Sequence, residues 1–183
     1  MFCGANVCFV MKFSPALSAL LLFFWMGATA QQAPVVQRVF SLEEPFQNPA
    51  PVPTEVVTGI LDEMHHQEGG KDCAENVQTS WLSATMLALN PAGPPALLVK
   101  SENDCLNGVN IDAVWIFLKR PAGYRMILSA SGLSLEILKT RTRGYLDVEV
   151  ASLVHGGRHT VYLKYCFKGG EYQLASTRVV TNK

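Results

Sequence analysis

The sequence has few charged residues and no excess of either sign. Charged side chains make up 16% of the 183 residues, and 15 Lys and Arg residues balance 15 Asp and Glu residues. A neutral chain is neither a uniformly basic nucleic-acid binder nor a uniformly acidic solvating protein. The apolar fraction of 49% is too high for a disordered chain, and the length suits one domain with its own core.

The compact motifs that mark common enzymes are also missing. The sequence contains no GxSxG nucleophile elbow, no HExxH metal motif, no phosphate-binding P-loop and no GxGxxG dinucleotide loop. Ser, His and Asp residues are present, but no motif places them together. We therefore predict a non-enzymatic domain that binds a partner, with no cofactor and no nucleic-acid ligand.

The N-terminal segment, residues 1–30, has the pattern of a secretory signal peptide. Lys12 precedes the apolar run Ala16–Met26, and the small residues Ala28 and Ala30 follow it. The run is shorter than the roughly 20 residues of a membrane-spanning helix. We predict cleavage after Ala30, export to the periplasm or beyond, and no transmembrane anchor in the mature chain. Because Met11 opens an ordinary signal peptide, we expect translation to start there.

Cleavage changes the set of available cysteines. It removes Cys3 and Cys8 and leaves three cysteines in an oxidising compartment. Cys73 and Cys105 lie in polar, turn-rich segments, and we predict that they form a disulfide. Cys166 lies in an apolar run typical of a strand, so we expect a packed thiol there.

The mature chain divides into a linker and a single β-rich domain. Residues 31–53 carry five of the ten prolines, which predicts an extended linker. The domain is predicted over residues 54–183. From Thr54 to about Gln67 the apolar residues follow helical spacing, with Thr54 as the N-cap, which predicts one amphipathic helix.

Strands dominate the rest of the domain. Apolar and β-branched runs alternate with Gly, Pro and Asn turns about every ten residues. The predicted strands are Trp81–Leu89, Ala96–Lys100, Ala113–Lys119, Tyr124–Ser129, Leu133–Lys139, Tyr145–Val154, Thr160–Phe167 and Tyr172–Val180. This pattern predicts an α+β fold, mainly antiparallel β, with one N-terminal helix packed on a β-meander. A sandwich, an open barrel and a helix-capped sheet all fit it.

The segment Leu87–Val99 resembles the strand-loop-strand of secreted FG-GAP or VCBS-like β-proteins, whose loop binds Ca²⁺ through alternating acidic and amide side chains. Asn90 and Gly93 match that loop. Alanines stand where the acids would be, at Ala88, Ala92 and Ala96. Calcium requires six to eight oxygen ligands. The resemblance therefore implies a β-hairpin here and argues against bound calcium.

A second likeness lies towards the C-terminus. Residues 140–148, with Gly144-Tyr145-Leu146-Asp147, and the aromatic hairpin of residues 165–172 are similar to a pattern in uncharacterised secreted bacterial proteins. Lys168 replaces the acid that usually precedes the glycine of that hairpin. The likeness implies β-hairpins and brings no catalytic activity with it.

Basic residues near the middle of the domain are candidates for partner binding. Lys139, Arg141 and Arg143 are spaced two residues apart, so a regular strand would place them on one face. Such a ridge suits phosphate, acidic polysaccharide or anionic lipid headgroups. We predict an anionic envelope polymer or a protein as the partner, and leave the oligomeric state open.

An enzymatic alternative depends on residues far apart in the sequence. A secreted hydrolase with a site assembled from distant residues would use His155, His159 and Asp147. We expect no metal site at these histidines, which flank a Gly-Gly turn, or at the adjacent His65 and His66, which diverge on a helix.

The segment between Glu102 and Asp112 is rich in side-chain oxygens. Its spacing matches no calcium-loop template. We predict a turn capped by Asx side chains instead.

Charge is unevenly distributed along the chain despite the zero total. Residues 31–112 carry 3 basic and 11 acidic side chains, and residues 113–183 carry 11 basic and 4 acidic ones. In one compact domain, the acidic half can complement the basic half internally. If the two halves instead lie on opposite faces, head-to-tail association or binding of an anionic partner follows.

The predicted disulfide can be tested by alkylation. In native, unreduced protein, iodoacetamide followed by peptide mass spectrometry is expected to leave Cys73 and Cys105 unlabelled, and both are expected to react after reduction. Labelling of Cys73 before reduction would contradict the pairing.

Overall fold

The computed structural model describes residues 38–66, 77–107 and 111–182. One α-helix and ten strands are found in these ranges. In chain order they are β1 (Val39–Ser41), β2 (Pro49–Ala50), α1 (Thr54–His66), β3 (Leu82–Leu87), β4 (Ala96–Ser101), β5 (Asp112–Arg120), β6 (Gly123–Gly132), β7 (Ser134–Thr142), β8 (Tyr145–Val154), β9 (His159–Lys168) and β10 (Glu171–Thr181).

The strands form two antiparallel sheets that pack face to face. We call the sheet with strand order β2-β3-β4-β5-β6 the central sheet, and the sheet with order β1-β7-β8-β9-β10 the outer sheet. Their shared core includes Leu98 and Ile116 of the central sheet and Leu135, Val148 and Val150 of the outer sheet. These five side chains are fully buried. The result is a sandwich built by hairpin connections.

Helix α1 covers the other face of the central sheet. Val56, Ile60 and Met64 recur on one side of the helix and are buried against Val99 and Trp115. Spacing of three and four residues produces this apolar stripe. The central sheet is therefore covered on both faces, which explains why all six residues of β4 are buried.

The predicted fold class is confirmed. All eight predicted strands are present as β3 to β10, and the predicted helix forms and ends at His66. Of the three architectures that the sequence allowed, the structure is a sandwich with a helix on one sheet. The β-hairpin expected over Leu87–Val99 is also present, formed by β3 and β4.

The prediction of an extended linker over residues 31–53 is wrong for its described part. Strand β1 pairs with β7 and strand β2 pairs with β3, each at a sheet edge. Phe40, Leu42 and Phe46 are buried in the sandwich core. Prolines prevent a helix here, but Pro49 is compatible with a short edge strand, where a backbone donor is not needed. The domain therefore includes this segment from Arg38 onwards.

A buried lysine stabilises the segment that connects β1 and β2 through hydrogen bonds to its backbone. Lys100, 1% exposed, donates from Nζ to the carbonyl oxygens of Leu42 (2.7 Å) and Glu44 (2.9 Å). It also forms an ion pair with Glu102 (3.1 Å) and lies 5.4 Å from the ring centroid of Phe46. A buried ammonium group needs such partners to offset its lost hydration.

The chain passes from the central sheet to the outer sheet at Gly132. Beside it, Leu133 donates its N–H to the carbonyl of Ala151 (2.8 Å). A Cβ atom at position 132 would lie 2.5 Å from Cγ1 of Val150 and 2.7 Å from the carbonyl oxygen of Ala151. Only glycine allows the strands to approach this closely.

Replacement of Gly132 tests whether the strands approach this closely where the chain passes between the two sheets. Gly132→Ala is expected to lower the free energy of unfolding by about 1–3 kcal/mol, because the new methyl group overpacks a rigid contact. Urea unfolding measures the change, with the exposed neighbour Ser131→Ala as the control. Equal stability of Gly132→Ala and the parent protein would contradict the close approach.

Candidate anion-binding site

Antiparallel order brings four hairpin turns to one end of the sandwich. These are the turns between β3 and β4, β5 and β6, β7 and β8, and β9 and β10. Leu146 donates its N–H to the carbonyl of Leu89 (2.8 Å), which joins the first of these turns to β8. The last turn lies directly against the side chain of Arg125 on β6, because a Cβ atom on Gly170 would be only 3.3 Å from Nη1 of that arginine. The ends of the two sheets therefore form one surface.

This surface carries a concentration of positive charge. We call it the basic end, defined by the six exposed residues Lys119, Arg120, Arg125, Arg141, Arg143 and Lys168. In the described part of the chain, the ion pairs involve other cations, namely Lys100, Lys164 and Arg178. The cations of the basic end therefore form no ion pair in that part of the chain; Glu171, opposite Lys168 in register, is a neighbouring carboxylate that lowers the net positive charge.

The opposite end of the sandwich is acidic on its central-sheet side. Its exposed or half-exposed carboxylates are Glu43, Glu44, Glu102, Asp104 and Asp112. Burial raises the pKa of Asp112; Lys100 opposes this shift, and three neighbouring carboxylates add to it. Arg158, in the turn between β8 and β9, is an exposed cation at this end of the outer sheet. The charge asymmetry of the sequence therefore corresponds to two ends of the folded domain.

A buried carboxylate holds the strands that lead to the basic end. Asp147, 2% exposed, accepts hydrogen bonds from Oγ1 of Thr140 (2.6 Å) and Oγ1 of Thr142 (2.8 Å). Nζ of Lys164 lies 3.2 Å from the same carboxylate. Burial alone would raise the pKa of Asp147, but these three donors outweigh it and hold the pKa below its ordinary value. The carboxylate thus fixes the end of β7 against β8 and β9.

Aromatic packing supports the same end from inside. Tyr145 stacks on Phe167 with ring centroids 3.9 Å apart, and Tyr172 contacts Phe167 edge to face at 5.5 Å. The Tyr172 hydroxyl donates to the carbonyl of Leu146 (2.6 Å). Burial raises the pKa of this hydroxyl, so it remains a donor at physiological pH. The basic side chains therefore extend from a rigid base.

Of the three basic residues singled out in the sequence, Arg141 and Arg143 belong to the basic end and Lys139 lies further back on β7, and the three do not form a regular ridge. Lys139 and Arg141 are exposed on β7, whose pairing with β8 is irregular between Ile137 and Arg141. Arg143 lies in the following turn with a φ of 53°, outside strand geometry. Strand alternation therefore does not place the three on one face, and their binding role remains a prediction.

Sequence reasoning missed the other contributors to the basic end. Lys119, Arg120, Arg125 and Lys168 belong to two other hairpins. Each lies within two residues of a turn marked by Pro-Ala-Gly or Gly-Gly. The available signal was the occurrence of basic residues next to every second turn. It predicts a shared surface only once the strand order shows that these turns lie at the same end.

Of the residues of the hydrolase alternative, the two histidines lie close together, but Asp147 lies far from both. Asp147 lies near the start of β8, and His155 and His159 lie beyond its other end. A strand rises about 3.3 Å per residue, so Asp147 and Val154 are separated by roughly 23 Å. No hydrogen-bonded catalytic group forms over that distance.

A cavity elsewhere in the sandwich does not change this result. It has a volume of about 360 Å³ and lies between α1, β6, β9 and β10. Its lining includes Met126, Leu128, Tyr165 and Tyr172. It contains none of the candidate catalytic residues.

The oxygen-rich segment after β4 forms the predicted Asx-capped turn. Oδ1 of Asn103 accepts from the backbone N–H of Cys105 (2.9 Å), and Oδ1 of Asn107 accepts from that of Ala113 (3.1 Å). These bonds confirm capping by asparagine side chains in the described part of this segment, residues 102–107 and 111–112.

Other predictions fall partly outside the described residues. Cys166 is a half-buried free thiol on β9. Cys73 lies outside the described residues, so its pairing with Cys105 stays a prediction. The predicted signal peptide and the start at Met11 also lie outside them.

Comparisons with known proteins found no match. No protein-family model, no curated protein and no solved structure is similar to this chain. Within the described ranges, no helix has both the length and the apolar character needed to cross a bilayer.

The role of the buried carboxylate can be measured through pH. Asp147→Asn is expected to lower the free energy of unfolding at neutral pH by about 1–3 kcal/mol, because the amide cannot accept all the bonds that the carboxylate does. A lowered pKa adds stability above the ordinary carboxyl pKa, and this stability is lost as the pH falls through the folded-state pKa. The difference between variant and parent should therefore shrink in acid.

Chemical unfolding across the acidic range provides the measurement. Glu136→Gln, at an exposed position on β7, is the matched control and should change stability by less than about 0.5 kcal/mol. A stability difference for Asp147→Asn that is independent of pH would contradict the assignment.

Proposed function

We propose that this protein is an exported, non-enzymatic domain that binds an anionic polymer of the cell envelope through its basic end. The observation that carries the proposal is the convergence of six exposed cations from three hairpins, none of them in an ion pair within the described part of the chain. Unneutralised charge of one sign raises the local concentration of oppositely charged ligands.

The shape of the basic end favours a polymer over a small anion. Adjacent strands are about 4.8 Å apart and packed sheets about 10 Å apart. Cations that belong to β7, β9, β5 and β6 are therefore spread over a surface of roughly 10 by 10 Å. The cavity between α1, β6, β9 and β10 is lined by none of them, whereas a chain with repeated carboxylate, sulfate or phosphate groups would contact several at once. Arginine guanidinium groups suit such oxyanions because they donate in pairs.

The packing of the aromatic residues favours a polymer over a protein surface. Protein interfaces depend on a few aromatic or arginine anchors that insert into pockets. At the basic end, Phe167 and Tyr172 are buried, and Tyr145 is stacked on Phe167. Among the described residues of this end, no aromatic side chain is fully exposed as an anchor, so the exposed cations are the main binding groups, as in electrostatic contact with a polyanion.

The acidic carboxylates restrict how the polymer lies. Glu43, Glu102 and Asp104 are exposed at the far end of the central sheet and would repel a polyanion. Contact is therefore limited to the basic end, which argues against a nucleic acid wrapped around the domain. Export rests on the predicted signal peptide and brings the domain to the envelope compartment.

Binding can be tested with immobilised heparin, a sulfated polysaccharide, and with vesicles of anionic phospholipid as a second probe. Each Lys or Arg near an anionic surface contributes about 1 kcal/mol at low salt. The double variant Arg141→Ser/Arg143→Ser is therefore expected to bind heparin roughly 30-fold more weakly and to elute at a lower salt concentration.

A second double variant distinguishes the effect of the position of the charges from the effect of the net charge on heparin binding. Arg38→Ser/Arg158→Ser removes the same charge from exposed positions outside the basic end and should elute near the parent protein. Equal weakening of both double variants, or no retention of the parent, would contradict the proposal. Binding to vesicles but not to heparin would contradict a polysaccharide ligand and assign the surface to lipid headgroups.

A further inference from the structure

Two histidines meet across the turn between β8 and β9. His155 is the first residue of the turn, and His159 is the first residue of β9. Their ring centroids are 5.6 Å apart and their planes are nearly perpendicular, at 87°. This pair lies away from the basic end and has no part in the proposed polymer binding.

The turn that carries the histidines has a defined shape. His155, Gly156 and Gly157 have φ values of 53°, 66° and 83°, which two glycines make accessible. Asn182 fixes the turn from β10, since its Nδ2 donates to the carbonyl of Gly157 (2.7 Å) and its N–H to that of Arg158 (2.8 Å). The backbone positions of the two histidines are therefore fixed by the fold.

A hydroxyl group orients one of the rings. Nδ1 of His159 lies 3.2 Å from Oγ1 of Thr181. In the tautomer that donates Nδ1–H to this hydroxyl, Nε2 carries the free lone pair. Metal-binding histidines commonly have such a partner on their other nitrogen, which fixes the ring and the tautomer.

We propose that His155 and His159 form a two-histidine site for a divalent transition-metal ion. Imidazole nitrogens bind Cu²⁺, Ni²⁺ and Zn²⁺, and the affinity is highest for Cu²⁺. Two imidazoles on one ion, at about 2.1 Å from it, have ring centroids about 4.5–5.2 Å apart. The observed separation of 5.6 Å is slightly longer, and rotation of the side chains would direct one nitrogen of each ring at the ion.

The site has two protein ligands and is open to solvent. Within the described ranges, no group of three or more His, Cys, Asp and Glu side chains is placed to hold a metal. The remaining coordination positions of the ion are therefore available to water or to an anionic group of another molecule. Arg158, exposed in the same turn, opposes the ion by like charge and limits the affinity.

Calorimetric titration of the purified protein with CuCl₂ near neutral pH tests the site. We expect binding that is weakened roughly tenfold or more by His155→Asn and by His159→Gln. Asparagine is chosen at position 155 because it tolerates the left-handed backbone conformation. The control is His65→Gln/His66→Gln, which removes two exposed histidines at the end of α1 and should leave the affinity unchanged.

Further variants distinguish a metal site from general histidine effects. Arg158→Ser is expected to strengthen Cu²⁺ binding, because it removes a neighbouring positive charge. Saturating Cu²⁺ should also raise the thermal midpoint of unfolding in the parent protein but not in His159→Gln, since a ligand of the folded state stabilises it. Unchanged affinity in His155→Asn, or equal loss in the α1 control, would overturn the proposal.

Discussion

Burial of the central sheet on both faces is the constraint on which the rest of the structure depends. Its strands direct alternate side chains to α1 and to the outer sheet, so neither face can accept an unpartnered charge. Lys100 is the buried exception, and its ammonium group has two carbonyl oxygens and Glu102 as partners. The other charges of these strands occur where the strands leave the core. The exposed positions of Lys119 and Arg120 at the end of β5 are an example.

In the described part of the chain, the outer sheet has one face that is not covered by another layer, so it can carry charged side chains that the central sheet cannot. Its two acidic residues on β8 are neutralised within the sheet, Asp147 by Lys164 and Glu149 by Arg178. The remaining cations are concentrated towards the hairpin turns at the basic end. Partial neutralisation inside the sheet, together with exclusion of charge from the central sheet, produces a domain with a basic end although its total charge is zero.

Most of the fold was predictable from the sequence because its signals are local. Glycine and proline turns bounded the strands, and Val56, Ile60 and Met64 identified the helix by their spacing. The candidate site was only partly predictable, because it depends on contacts between distant segments. The irregular pairing of β7 and the left-handed Arg143 removed the expected ridge, and the sandwich added Arg125 and Lys168 from other hairpins. Phe40 is buried through contacts with distant segments in the same way, although the prolines of residues 31–53 had predicted a linker.

The two proposed sites depend on opposite ends of β8 and β9, and this separation follows from the antiparallel order. The turn between β7 and β8 lies at the basic end, so the next turn, with His155 and His159, must lie at the other end of the outer sheet. An ion held there would add positive charge far from the basic end, at more than two Debye lengths of physiological salt, about 8 Å each. Binding of a metal ion at the proposed histidine site should therefore leave the affinity of the basic end for a polyanion unchanged.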